Sequence, residues 1–233
     1  MSLVSFPKAL ADLANADPTR PAVTDERRTL TRAELRREAT HLAHRLSDLG
    51  VGEGTFVTIA LPNSAEFMVA FAACWMLGAI PQPVSSKLPD AELHAIVDLA
   101  DSEVVIGRDV EGRHSIVSWT TPDGEPAELP DAVSPAWKAP TSGGSTGRPK
   151  LIVSGEKALT DDEATPAILA KRDGELLMPG PLYHNGPLSW ACHSVLSGGH
   201  LIVMDRFDAE RTLRLIDEYR VDTVYLVPTM MRR

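Results

Sequence analysis

The chain has 233 residues, 43% of them hydrophobic and 24% charged, which is the make-up of a soluble globular protein with one large or two small domains. Its net charge of −9 and pI near 5.2 exclude a nucleic-acid-binding surface, which needs a Lys/Arg excess to neutralise phosphates. Any anionic ligand therefore has to be gripped locally.

The amino terminus, Met1 to Pro7, lacks the basic start and the long apolar stretch of a signal peptide. Thr31-Arg32-Ala33-Glu34 fits a capping box, and Leu35, Ala39, Leu42, Ala43, Leu46 and Leu49 then form one apolar stripe, so a helix is predicted that Gly50 ends. Thr55 to Leu61 reads as a strand. Pro62-Asn63-Ser64 reads as a turn and cap before a helix from Ala65 to Leu77, which is apolar nearly all round and so predicted to be buried. Phe67 to Leu77, the longest apolar run, is too short to span a bilayer.

Ala79 to Val84 reads as a strand, Asp90 to Ala100 as a helix capped by its own aspartate, and Glu103 to Gly107 as a strand, a βαβ rhythm. Between Thr120 and Pro135 the chain turns polar, with Pro122, Pro126, Pro130 and Pro135, and is expected to be an exposed connection with a subdomain boundary near 120–137. Leu151 to Val153 is strand-like, Leu159 to Lys171 helical, and Glu175 to Pro179 extended. His200 to Met204 reads as a strand, Asp208 caps a helix carrying Leu213, Ile216 and Tyr219, and Thr223 to Val227 is a further strand. Pro228-Thr229 opens an element that Arg233 cuts off, so the chain is expected to be part of a longer one. The expected fold is α/β, with layered mixed sheets flanked by helices.

Two cysteines, Cys74 and Cys192, sit in apolar runs without metal-ligand or redox spacing, which suits a reducing cytoplasm and argues against a disulfide. His41 and His44 lie three apart on a helix, but no third ligand accompanies them, and surface histidines are the better account. Asp161-Asp162-Glu163 is read as acidic residues meeting a helix macrodipole rather than as a metal site.

The most informative stretch is Thr141-Ser142-Gly143-Gly144-Ser145-Thr146-Gly147-Arg148-Pro149-Lys150, with three glycines, four hydroxyls and a lysine in ten residues. Glycines let backbone N–H groups converge on one concavity, hydroxyls donate further bonds, and the lysine supplies a mobile charge for phosphate oxygens. A Walker loop does not fit, because Arg148 and Pro149 separate Gly147 from the lysine, and G-x-G-x-x-G cannot be laid on this spacing. A flexible Gly/Ser linker is the bland competitor, weakened by Arg-Pro-Lys and the apolar strand after it.

The loop resembles the signature of the adenylate-forming superfamily, which includes acyl-CoA synthetases, luciferases and peptide-synthetase adenylation domains. Thr29 to Leu35, Leu61 to Phe67, Gly78 to Val84 and Pro181-Leu182-Tyr183-His184-Asn185-Gly186-Pro187 resemble further family motifs in the expected order, and the acyl-CoA ligase branch fits best. The resemblance implies an enzyme that uses ATP with magnesium to convert a small carboxylic acid into its acyl-adenylate, releases pyrophosphate, and passes the acyl group to coenzyme A. It implies that Thr141, Ser142, Ser145, Thr146 and Lys150, with the N–H groups of Gly143, Gly144 and Gly147, hold the phosphates of ATP, and that Lys150 and His184 serve the chemistry. His184 would line the junction of the nucleotide and acyl pockets. A packed helix and an acyl-tunnel wall are equally good accounts of Trp190, Cys192 and Val195.

The family's later Tyr-Gly-x-Thr-Glu motif with its magnesium-binding glutamate, its ribose-holding aspartate and its carboxy-terminal domain are not in this sequence. The piece alone is accordingly expected to adenylate little or nothing. A noncatalytic nucleotide-binding or regulatory module derived from the family is the alternative. A cytoplasmic location without a membrane span, and no nucleic-acid partner, complete the reading.

Overall fold

The computed structural model describes residues 3–142, 149–161 and 171–232. The chain begins with β1 (Leu3–Ser5), α1 (Phe6–Ala16), the hairpin β2 (Pro21–Thr24) and β3 (Thr29–Thr31), and α2 (Arg32–Asp48). An alternating stretch comes next: β4 (Phe56–Ile59), α3 (Ala65–Met76), β5 (Ile80–Pro83), α4 (Asp90–Ala100), β6 (Val104–Ile106) and β7 (His114–Ile116). The remainder comprises β8 (Thr141–Ser142), β9 (Lys150–Leu151), β10 (Leu159–Asp161), β11 (Glu175–Met178), α5 (Asn185–Leu196), β12 (His200–Val203), α6 (Ala209–Glu218), β13 (Thr223–Val224) and α7 (Pro228–Met231).

Two sheets organise the molecule. One has the order β5-β4-β6-β7 and is parallel throughout; the other runs β13-β11-β12-β2-β3 and is parallel except for the β2–β3 hairpin. The expected α/β class with a mixed sheet is what forms. β1 pairs with β10, and β8 with β9, as separate antiparallel ladders.

The main core explains the all-apolar character of α3. Val57, Ile59, Val104 and Ile106 from the parallel sheet and Val23, Leu176, Leu201 and Val203 from the mixed sheet belong to one buried cluster, with α3, which touches β4, β5 and β2, between them. A helix with a sheet on either side has no face left for water, so Phe67, Phe71 and Trp75 are all buried. Their four-residue spacing stacks Phe67 on Phe71 at 5.0 Å and sets Phe71 edge-on to Trp75 at 5.8 Å. The Trp75 indole N–H donates to the Trp137 carbonyl at 2.8 Å.

The starts of α2, α3 and α6 follow the sequence closely. Thr31 and Glu34 make both halves of the capping box, and Ser64 and Asp208 accept from Phe67 and Arg211 amides as caps. Asp25 adds to the start of α3, its carboxylate accepting from the Ala65 amide at 2.9 Å. Burial alone would raise the Asp25 pKa, but the amides of Ala65, Arg27 and Arg28 outweigh it and hold it below the usual value. At α4 the expectation of an aspartate cap fails: Pro89 occupies the cap position without a side-chain bond, and Asp90 pairs with Arg108 instead.

A second correction concerns 159–171. Leu159–Asp161 is a strand, not a helix start, because β1 supplies an antiparallel partner that the local sequence does not announce. The rest of that expected helix, including Asp162 and Glu163, lies outside the described residues. The proline-rich 120–135 segment has no regular element, and the histidines of α2 tether it: His41 Nε2 bonds the Gly124 carbonyl at 3.2 Å and His44 Nε2 that of Ala127 at 2.8 Å.

Candidate functional site

The glycine-rich stretch is carried on a hairpin. In its ladder Thr141 opposes Leu151 and Ser142 opposes Lys150, and Ile152 N to Pro140 O (2.9 Å), Ser154 N to Lys138 O (3.0 Å) and Trp137 N to Glu156 O (3.2 Å) extend the pairing. Direct cross-strand partners share a face, so Ser142 and Lys150 present their side chains on the same side. The Ala139 amide donates to Pro81 O at 2.9 Å, and Ala136 and Ala139 pack with Ile80, which fastens the hairpin to the parallel sheet. The candidates Gly143, Gly144, Ser145, Thr146 and Gly147 lie outside the described residues.

The histidine motif arrives from the other sheet. After β11 the chain crosses Asn63, whose amide donates to Gly180 O at 2.9 Å and Met204 O at 3.0 Å while its Oδ1 accepts from the Leu182 amide at 2.8 Å. One side chain thereby fixes the turn that delivers Tyr183 and His184. His184 is exposed and occupies the cap position of α5 in extended geometry (φ −88°, ψ 142°), but its side chain makes no cap bond. Its ring lies 4.4 Å from that of Tyr183.

A cavity of about 530 Å³ joins the two segments. Thr141, Ser142 and Pro149 line it on the hairpin side, Tyr183 and His184 on the motif side, and Leu88, Ala91, Ala95 and Ile96 form an apolar wall from α4 and the turn before it. The Thr141 hydroxyl oxygen is buried and has no hydrogen-bond partner among the described residues. An unpaired buried hydroxyl costs stability, so it marks a position that suits a ligand atom. Lys150 is exposed and does not itself line the cavity. A larger cleft of about 680 Å³ between α1, α2 and 125–131 contains none of these candidates.

Such an arrangement can hold an anion at the hairpin and bring an acid alongside His184, with an apolar wall to exclude water. Among the described residues no group of three or more His, Cys, Asp or Glu side chains could hold a metal ion, so no magnesium ligand is assigned. Cys192 and Val195 are core residues of α5, and Trp190 packs edge-on against Tyr225 at 5.6 Å, which favours the packing account of that helix. Burial pushes the Cys192 thiol up to about 12, so it is not a nucleophile at neutral pH.

Two contributors, the α4 wall and Asn63, and the nearby buried Lys138 were not singled out from sequence. The α4 wall is an ordinary amphipathic helix in one dimension, and only the fold turns part of it toward the hairpin. Asn63 read as a turn residue, although its place in a motif-like Leu-Pro-Asn-Ser was a usable signal. Lys138, three residues before Thr141, is buried against Ser189 of α5 and carries no local signature at all.

Known proteins resemble the chain in sequence and in fold. A family model described as AMP-binding enzyme matches residues 10–233. A feruloyl-CoA synthase from an Amycolatopsis species is 29% identical over 232 residues, covering 93% of this chain and 47% of the relative. The inhibitor-bound N-terminal domain of FACL13 from Mycobacterium tuberculosis superposes with a TM-score of 0.81 at 24% identity, covering 98% of this chain and 64% of that one. The o-succinylbenzoate CoA synthetase MenE from Bacillus subtilis, in complex with its acyl-adenylate intermediate, gives 0.80 at 22% identity, covering 99% and 64%. The chain spans about half the length of the curated relatives it matches.

Proposed function

The chain belongs to the AMP-binding enzyme family, and on that premise we propose that it forms the phosphate-gripping half of an enzyme that activates a carboxylic acid as its acyl-adenylate. The observation that carries the reading is the shared cavity, in which the base of the glycine-rich hairpin, with a Thr141 hydroxyl unpaired among the described residues, meets Tyr183 and His184. Feruloyl-CoA synthase and MenE, the latter holding an acyl-adenylate, support the same chemistry.

In this reading Thr141, Ser142, Ser145, Thr146 and Lys150, with the amides of Gly143, Gly144 and Gly147, hold the β- and γ-phosphates of ATP. His184 orients the acid. A carboxylate oxygen attacks the α-phosphorus, the bond from that phosphorus to the bridging oxygen breaks, and pyrophosphate leaves with both electrons of that bond. The hydroxyls and the lysine offset the charge that grows on the leaving group, and fixing both reactants removes much of the entropic barrier. Coenzyme A then takes the acyl group through its thiol, and AMP departs. Magnesium, when bound, would screen the phosphate charges, and the residues of this chain supply no described ligand set for it.

We assign the whole chain to one amino-terminal AMP-binding domain with an internal boundary within 120–137, working in the cytoplasm in a longer parent. The fragment by itself is expected to turn over little, because the resemblance puts the ribose and magnesium contacts and the carboxy-terminal domain elsewhere in the parent.

ATP–pyrophosphate exchange by the full-length parent across a panel of carboxylic acids tests this. Exchange with at least one acid, reduced about 10²–10³-fold by Lys150→Ala, is the expected result. A folded parent that binds ATP but exchanges with no acid would favour the noncatalytic module.

A further inference from the structure

The apolar wall of the site cavity is held from outside its own segment. Leu93, Ile96 and Val97 anchor α4 in a small buried cluster with Val84, Val105 and Val110, apart from the main core. The other side of the helix is exposed at Ala91, Glu92 and Ala95, and these residues line the cavity together with Ser85 and Leu88 of the preceding turn. At the start of α4 Pro89 holds the cap position without a side-chain bond, and it has no N–H to which Glu92, three residues on, could return one. Within the turn, Ser85 Oγ accepts from the Lys87 amide at 3.3 Å. Local sequence supplies little else to fix where the wall begins.

Arg108 fixes it from another strand. Its Nη1 donates to Ser86 O at 2.9 Å and to Leu88 O at 3.0 Å, and its Nη2 bonds the Asp90 carboxylate. Among the described residues no other side chain from outside the turn bonds this stretch of backbone. The parallel sheet makes the reach short. β5 and β6 flank β4, so their carboxyl ends lie on the same edge of the sheet. Gly107 lets the chain pass tightly there: its φ is +97°, and a Cβ would stand 2.6 Å from Ala60 O. That carboxyl edge is where open α/β sheets hold their ligands.

The ion pair alone does not account for the arrangement. The Asp90 side chain is 83% exposed, so its pairing contributes little, whereas a guanidinium shared between two carbonyls fixes the path of a backbone. One of those carbonyls belongs to Leu88, which lines the cavity, and the turn leads straight into Ala91 and Ala95, which line it further. With side chains as short as alanine's, the width of the space depends on where the helix itself stands. A misplacement of about 1 Å in such a wall can cost about 10²-fold in rate.

We propose that Arg108 is a positioning residue of the acid site: by holding the 86–90 backbone it sets the separation of the α4 wall from His184, and so the size of acid accepted. The inference rests on the acid-activating reading, in which the apolar wall meets the organic body of the acid while Thr141 and Ser142 meet phosphate.

The test measures pyrophosphate exchange by the full-length parent with a graded series of straight-chain and ring acids. Arg108→Gln should raise KM for the acid the wild type prefers by about tenfold, and narrow its preference over slightly longer acids by about as much, with KM for ATP within about twofold. Arg108→Lys, which keeps the charge, should fall between the two. Asp90→Asn leaves both carbonyl bonds in place and should stay within about twofold of the wild type. Equal rises in KM for ATP and acid, or a rise for ATP alone, overturn the proposal. A loss from Asp90→Asn as large as that from Arg108→Gln assigns the effect to the ion pair and overturns it too. Should Arg108→Gln fail to fold, Arg108→Lys carries the test, and a wild-type acid profile in that variant is the overturning result. Absence of exchange with every acid defeats the acid-activating reading itself, whereas exchange with an acid profile unmoved by substitution of Arg108 defeats the Arg108 proposal alone.

Discussion

Helices α3 and α5 are both twelve residues long, yet their amino-terminal ends are built in opposite ways. At α3 the Ser64 hydroxyl accepts from Phe67 N, the Asp25 carboxylate accepts from Ala65 N, and both sheets cover the helix. At α5 His184 makes no side-chain cap bond, stands exposed, and lines a cavity that Thr141 also lines, with a hydroxyl that has no partner among the described residues. The first end is closed by the protein's own groups; the second has no side-chain cap among the described residues. In the proposed function that difference separates the part of the chain that is held rigid from the part that meets a ligand.

Substitutions can break that contrast. The largest effect belongs to the closed side: Phe71→Ala, between the two sheets, should cost about 3–5 kcal/mol in urea unfolding, and a loss under 1 kcal/mol would mean α3 is not the shared core. Ser64→Ala should cost about 1 kcal/mol, whereas His184→Ala should stay within about 0.5 kcal/mol in the same assay because it removes no cap bond. On the open side Thr141→Val should leave stability level or raise it by up to about 1 kcal/mol, while weakening ATP binding by the full-length parent in calorimetry. A clear loss of stability would show that the hydroxyl is already paired.

The smallest expected effect sharpens the comparison through pH. Burial lowers the pKa of His193, on the covered side of α5, below its ordinary 6.5. The folded state therefore disfavours the proton that the unfolded chain accepts, so stability is complete above that ordinary value and declines as pH falls through it. Thermal melting between pH 7.5 and 5.5 should reveal the decline, and His193→Gln should flatten it, roughly by the share that one histidine contributes.

Much of the fold was legible from sequence wherever the cause is local. The capping box at Thr31, the Ser64 cap and the apolar α3 depend on neighbours within a turn or two, and all three form as read. The α1 helix had local signals too, a Ser5 cap and Pro7 in the first turn, and was missed despite them. What stayed hidden depends on distant chain. β2 pairs with β12 about the whole length of the domain away, β10 becomes a strand only because β1 lies beside it, and Asp90 abandons a cap for Arg108. In the site, Thr141, Ser142 and His184 were readable from residue type and motif and do meet in one cavity, while Lys150 stands beside Ser142 but off the lining. Lys138 was illegible because its burial is conferred by a helix some fifty residues later.

Asn63 carries a consequence in the time domain. Its side chain holds the backbone at Gly180, Leu182 and Met204 from a turn that belongs to α3 and the other sheet. The Leu182 amide can meet solvent deuterium only when that side chain lets go, so its exchange rate should follow the opening of the α3 turn rather than the fraying of its own loop. Asn63 thus makes the arrival of His184 at the site a clock set by α3, a helix buried on nearly every face.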